Sequence, residues 1–123
     1  MFLQEHHLCM DRIQKYGSIL LGRWNHFWVP AFGPNGCQAG LCIAIRQQLE
    51  SNIMSAATTM NKRAQFLILK RGSQKVGLMN LYASNSVSKR ADLWLSLSDY
   101  ADLADCWLVG GDFNMIKDIT NRL

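Results

Sequence analysis

At 123 residues the chain has the length of one domain, and a hydrophobic share of 49% with only 2 prolines calls for a packed core and excludes a disordered polymer. No run approaches the roughly 18 uninterrupted apolar residues of a membrane span, and the first residues lack the basic flank and small-residue cleavage site of a secretory signal. A soluble intracellular protein without a signal peptide is expected, and its formal net charge of +4 is compatible with a polyanionic partner.

The first strand signal is residues 1–4, an apolar tail that ends in Glu5. Residues 11–20 carry Ile13, Tyr16, Ile19 and Leu20 at helical spacing, with Asp11 and Gln14 placed as a capping box and Gly22 as a stop; Gly17 lowers the propensity. Residues 24–29 read as an aromatic-rich strand closed by Pro30, residues 32–38 as a turn region, and residues 40–46 as a buried strand. A weak strand fits residues 52–59. Residues 65–71 and 75–83 form a hairpin through Arg71-Gly72-Ser73-Gln74, the strongest local signal. Residues 87–103 follow as a helix with Leu93, Trp94, Leu97, Tyr100, Ala101 and Ala104 on one side, feeding a strand at 106–111.

Charge is unevenly spread. Residues 51–91 contain no acid but hold Lys62, Arg63, Lys70, Arg71, Lys75, Lys89 and Arg90, whereas acids dominate from Asp92 onward. This suits a protein that draws in a nucleic acid and works on it with carboxylates, and it suits equally an ordinary solvated surface. Cys9, Cys37, Cys42 and Cys106 lack the paired spacing of a zinc site, so free, reduced, mostly buried thiols are expected. His6 and His7 are adjacent, so at most one of them shares a face with Glu5, and neither is expected to bind metal.

The apolar run from Trp107 stops at Gly110-Gly111 and delivers Asp112 and Asn114 to the strand's carboxyl end, a setting for phosphate chemistry. Glu5 occupies the same kind of position, which suggests one composite site. The plain alternatives are an Asx turn at Asp112 and Asn114 and, for Tyr82, a half-buried strand aromatic.

Four segments carry a family resemblance. Phe2-Leu-Gln-Glu5, Gly40-Leu-Cys-Ile-Ala-Ile45, Asn80-Leu-Tyr-Ala-Ser-Asn85 and Gly110-Gly-Asp-Phe-Asn114 occur in the order and approximate spacing of the endonuclease/exonuclease/phosphatase superfamily. The chain most resembles the apurinic-type endonuclease domain that precedes reverse transcriptase in plant non-LTR (LINE-type) retrotransposons. The resemblance implies an α/β (α+β) fold, a four-layer αββα sandwich. Residues 1–123 would be a partial domain, about one sheet with its flanking helices and an edge of the other, lacking the amino-terminal strand and the carboxyl-terminal Ser-Asp-His part.

The implied activity is that of a Mg2+-dependent DNA endonuclease, with Mn2+ as an alternative metal. Glu5 would hold the metal, Asp112 would deprotonate the attacking water, and Asn114 and Tyr82 would donate hydrogen bonds to the phosphate. Asn85 would contact substrate nearby. DNA is the implied partner, with no membrane, alongside the missing half of the domain or a reverse transcriptase in the parent element; the location would be nuclear. Two departures stand out: Ser84 replaces the family's usual proline, and His7 lies near where many relatives carry lysine. With the Ser-Asp-His part missing, little or no activity is expected of the chain alone. The competing reading is a non-catalytic nucleic-acid-binding remnant that uses the basic window at 51–91.

Overall fold

Strand alternation sorts the apolar side chains onto opposite faces of two sheets, and the two helices cover what the sheets do not bury against each other. In the computed structural model, residues 1–31, 39–59 and 62–114 are described. One sheet contains β1 (Phe2–Gln4), β3 (Leu41–Arg46) and β2 (Trp24–Val29), in that spatial order and antiparallel. The other runs β4 (Ile53–Thr58), β5 (Ala64–Arg71), β6 (Gln74–Tyr82) and β7 (Cys106–Asp112), antiparallel except for the parallel β6–β7 pair.

The faces follow from residue parity. Ile43 and Ile45 of β3 point inward against Leu67 and Leu69 of β5, with Phe2, Phe27 and Leu78 packed around them. On the outer side of the larger sheet, Phe66, Ile68, Met79 and Leu81 pack beneath α2 (Val87–Leu97) through Leu93, Trp94 and Leu97. On the outer side of the smaller sheet, α1 (Met10–Leu21) lies against Trp28, whose ring comes within 3.5 Å of where a Cβ on Gly17 would be. The layers are therefore helix, sheet, sheet, helix, the expected αββα sandwich. The smaller sheet contributes three strands, more than an edge.

Local departures from the sequence reading have identifiable causes. Helix α1 starts at Met10, because Cys9 O already accepts the Ile13 N–H at 3.0 Å, and no side chain caps it. Asp11 falls within the first turn, where its charge favours the helix dipole, and does not serve as a cap. Ile13 and Gly17 face the sheet while Ile19 is 77% exposed, so the buried face is narrower than the apolar spacing suggested. The second helix tightens to a 3-10 segment at Ser98–Leu103, where Ser96 and Ser98 donate their hydroxyls to the carbonyls of Leu93 and Leu95 at 2.7 Å. Ala101 lies exposed there. Of the thiols, Cys42 is buried, Cys9 half-buried and Cys106 exposed, so the burial expected of most is confined to Cys42, which the core holds up to about 12 in pKa. Cys37 and the turn at 32–38 lie outside the described residues.

A polar network pins the two sheets together inside this apolar contact. Asn80 on β6, fully buried, directs Nδ2 at Leu3 O (2.8 Å), Cys42 O (3.0 Å) and Gln65 Oε1 (3.1 Å). Its Oδ1 accepts from Gln4 Nε2 at 2.6 Å, and Gln65 Nε2 reaches Phe27 O at 3.0 Å. Backbone oxygens of β1, β2 and β3 are thereby satisfied from β5 and β6. Replacing Asn80 with alanine strips several buried groups of partners at once and is expected to lower unfolding free energy by about 2–4 kcal/mol, measured by urea titration.

Candidate active site

Glu5, Tyr82 and Asp112 come from three strand ends and meet at one edge of the sandwich. Asn80 and Tyr82 lie two apart on β6 and share its inward face, so anchoring Asn80 to Leu3 and Gln4 carries Tyr82 to the residue that follows Gln4. The Tyr82 hydroxyl donates to Glu5 Oε1 at 2.7 Å. Asp112 is the Cα partner of Tyr82 across the parallel β6–β7 pair, and the Ala83 N–H donates to its carbonyl at 2.8 Å.

Two glycines permit this approach. The Phe2 ring occupies the space where a Cβ on Gly110 would stand, bringing β1 against β7. Gly111 has φ 138°, and a Cβ there would lie 1.9 Å from Leu81 O. The Gly-Gly step is thus the means by which β7 closes onto both β1 and β6 immediately before Asp112.

Glu5 itself sits in the left-handed region at φ 52°, as does His7 at φ 57°. Such non-glycine residues cost about 1–3 kcal/mol each and persist when neighbours hold them. Here the His7 N–H donates to Ala39 O, and the Leu8 N–H donates to His6 Nδ1, both at 2.9 Å. Because Nδ1 accepts, His6 carries its proton on Nε2, which donates to Val29 O at 3.0 Å. The ring also packs edge-on to Trp28. His6 is therefore a brace for the Glu5 turn, and burial lowers its pKa below 6.5.

The electrostatics leave Tyr82 a proton donor. The hydrogen bond that Tyr82 donates to Glu5, reinforced by desolvation and by the Glu5 charge, raises its pKa above the ordinary value near 10. The guanidinium of Arg63 lies 5.1 Å from the centre of the Tyr82 ring, and the Tyr82 N–H donates to Arg63 O at 2.8 Å. Sequence reasoning placed Arg63 in the basic window but not at the site. The signal was the hairpin register, since pairing Arg71 with Gln74 carries Arg63 opposite Tyr82.

Asp112 and Asn114 have their polar groups engaged in the fold. Asp112 Oδ1 accepts the Asn114 N–H at 2.9 Å, and Asn114 Nδ2 donates to Ala83 O at 2.8 Å, tying the end of β7 to that of β6. Asn85 is exposed on the following turn. That turn is held by Arg90, which donates to Ser84 O at 3.1 Å and Asn85 O at 2.9 Å, and by Ser84 Oγ accepting the Ser86 N–H at 3.1 Å. Ser84 thus restrains the turn by a side-chain bond.

No protein-family model matches the chain. The Transposon TX1 uncharacterized 149 kDa protein of Xenopus laevis is 27% identical over 98% of this chain, which spans 9% of that protein's length. Among solved structures, D. rerio TDP2 complexed with single strand DNA product aligns at TM-score 0.59 and 19% identity, covering 94% of this chain and 48% of its own. ANGEL2, a 2′,3′-cyclic phosphatase, in complex with adenosine-2′,3′-vanadate aligns at TM-score 0.59 and 16% identity, covering 94% of this chain and 39% of its own. These likenesses show a shared fold, and the chain spans less than half of each of these structures.

Two outcomes test the geometry. Gly111→Ala forces β7 off Leu81 O and is expected to cost about 3 kcal/mol, with faster amide exchange at Ala83 as the local readout. A histidine whose folded pKa is depressed contributes stability above pH 6.5 that is lost as pH falls through the folded value. The His6 ring is therefore expected to titrate below 6.5 by NMR, and denaturant stability to decline with acidification below that pH.

Proposed function

We propose that this chain, which carries the endonuclease/exonuclease/phosphatase fold, is part of a metal-dependent DNA phosphodiesterase, a nicking endonuclease domain of a LINE-type retrotransposon. The observation that carries this reading is the meeting of Glu5, Tyr82 and Asp112, with the tyrosine hydroxyl 2.7 Å from one carboxylate and its Cα partner bearing the other. A DNA product in one structural neighbour, phosphate-ester hydrolysis in another and the transposon relative support the substrate class and origin. Residues 1–123 would form a partial domain whose partners are the rest of the sandwich and a reverse transcriptase, acting on DNA in the nucleus. No described helix is long and apolar enough to cross a membrane.

The donor set fits a small hard cation. Glu5, Asp112 and Tyr82 offer oxygen alone, and magnesium takes one or two carboxylates with water and phosphate oxygens completing its shell. Oxygen donors of this kind suit magnesium or manganese better than zinc, which favours nitrogen and sulfur ligands; among the described residues no group of three or more His, Cys, Asp or Glu is placed to hold a metal. Glu5 would hold the cation, which when bound neutralises charge developing on a non-bridging phosphate oxygen.

The chain's own residues supply the rest. Asp112 takes the proton of the attacking water, whose oxygen bonds to phosphorus as the bond to the leaving sugar oxygen breaks; solvent protonates that oxygen. Tyr82, still protonated at neutral pH, turns its hydroxyl toward a phosphate oxygen. Asn114 keeps Asp112 in place and offers its amide at the same edge, while Asn85 meets the substrate on the rim. No Ser-Asp-His sequence occurs in the 123 residues, and His6 and His26 are bonded within the fold, so turnover by this chain alone is expected to be slow.

A second reading has its own observation. The Asp112–Asn114 contact is an Asx turn, and Asn114 donates to a backbone carbonyl, as in a site that has become purely structural. A magnesium-dependent plasmid-nicking assay separates the two. Asp112→Ala and Glu5→Ala are each expected to slow nicking by about 100-fold or more. Equal nicking by wild type and variants removes the catalytic reading, and salt-sensitive DNA binding without nicking favours the non-catalytic remnant that binds through residues 51–91.

A further inference from the structure

Phe113 follows Asp112 directly and turns the other way. Trp107 packs into the core beneath α2, so the odd-numbered residues of β7 face that helix, and Phe113 continues the alternation one position past the end of the strand. There its ring meets that of Trp94 in a near-parallel stack, with centroids 6.0 Å apart and planes inclined by 27°. Trp94 lies one helical turn beyond Arg90, whose guanidinium holds the carbonyls of Ser84 and Asn85. The aromatic pair is thus anchored beside the exposed turn at Asn85, while Asp112, on the opposite side of the same chain segment, pairs with Tyr82.

This pair differs from the aromatic contacts of the core. Phe66 meets Tyr100 at 52° and Trp107 at 79° and is sealed from solvent on all sides. Phe113 is backed by Trp94 alone among the ring contacts of the fold, and 38% of its surface stays open to solvent. A supported, partly open ring one residue from an acid of the polar edge is suited to receive the flat face of a base. Stacking of that kind tolerates any base and involves no charge. Bases inside a duplex are already stacked on their neighbours, so the base that such a ring takes is an unpaired one.

We propose, on the phosphodiesterase reading of Glu5, Tyr82 and Asp112, that Phe113 stacks an unpaired base next to the phosphate held at that edge. The domain then prefers single-stranded or locally opened DNA over fully paired duplex and over strands that lack bases. Phe113 is a substrate-binding residue in this scheme, and Trp94 positions its ring.

The test uses Phe113→Ala, Phe113→Leu and Phe113→Tyr in the full chain, with circular dichroism and urea unfolding as folding controls. Fluorescence anisotropy in EDTA, across a salt series, measures binding of a labelled single-stranded oligonucleotide, of its duplex and of a strand of equal length made of abasic sites. Wild type is expected to bind the single strand about tenfold more tightly than the abasic strand, with equal salt slopes because the phosphates are the same. Phe113→Ala binds the single strand as weakly as wild type binds the abasic one, again without a change of slope. Phe113→Tyr keeps the preference for bases, whereas Phe113→Leu, which still covers Trp94 with an apolar side chain, loses it. Equal or undetectable binding of the two strands by wild type overturns the proposal. So does a folded Phe113→Leu that binds like wild type, which would confine Phe113 to packing, and so does a loss in Phe113→Ala that extends equally to the abasic strand. Hydrolysis of the single strand with magnesium is followed in parallel: if no version hydrolyses it, the catalytic reading fails, and the EDTA series still decides whether Phe113 stacks a base.

Discussion

The Asn80 carboxamide, buried between the sheets, is the contact on which the rest of the structure turns. Two apolar sheet faces can slide over one another at little cost, because hydrophobic contact has no direction. A buried amide with named partners on β1, β3 and β5 has direction, and every displacement leaves a donor or acceptor unpaired. Apolar burial of Ile43, Leu67 and Leu69 supplies the attraction, and Asn80 with Gln65 and Gln4 selects the register.

Placement of the site follows from that register. β1 is only three residues long and pairs with β3 alone in its sheet, so it has few ladder bonds of its own. It is held by Asn80 from the other sheet, by Phe2 seated against Gly110 and by the terminal amine bonded to Ala44 O. The left-handed backbone at Glu5 is tolerable because residues on both sides of it are tied down. Strain at an acid beside a hydroxyl and a second acid is the usual condition of a preorganised polar site.

Much of this was legible in the chain because strand alternation reports directly which side chains share a face. The hairpin at β5 and β6, the aromatic strand β2 and the run ending at Asp112 all stand where the pattern placed them. Helix details were less legible. The Asp11 to Gln14 pattern looks like a cap but falls inside the helix, and the serines that tighten the segment after Leu97 act through carbonyl capture, which spacing does not reveal. The polar pin was invisible for another reason: Asn80 and its Leu3 partner are 77 residues apart, and a motif read as a strand edge carries no mark of which backbone oxygen will meet it. Glu5, Tyr82 and Asp112 were found as a set through their resemblance to a known pattern, whereas Arg63 needed only the hairpin register, carried to its last residue.

The bond between Tyr82 and Glu5 also has a consequence in time. Its partners are 77 residues apart, and Asp112 joins them only through a parallel strand that needs a helical crossover to reach its place. A growing chain therefore exports Glu5 long before anything exists to receive it: the partners of His6 and His7 that brace its turn come with Val29 and Ala39, and the hydroxyl that meets its carboxylate comes only with β6. Local elements such as the β5–β6 hairpin can form early, while the polar edge must wait for the longest loop closures in the fold. Whatever chemistry the edge supports is thus withheld from partly folded chains, and its assembly coincides with the last stage of folding.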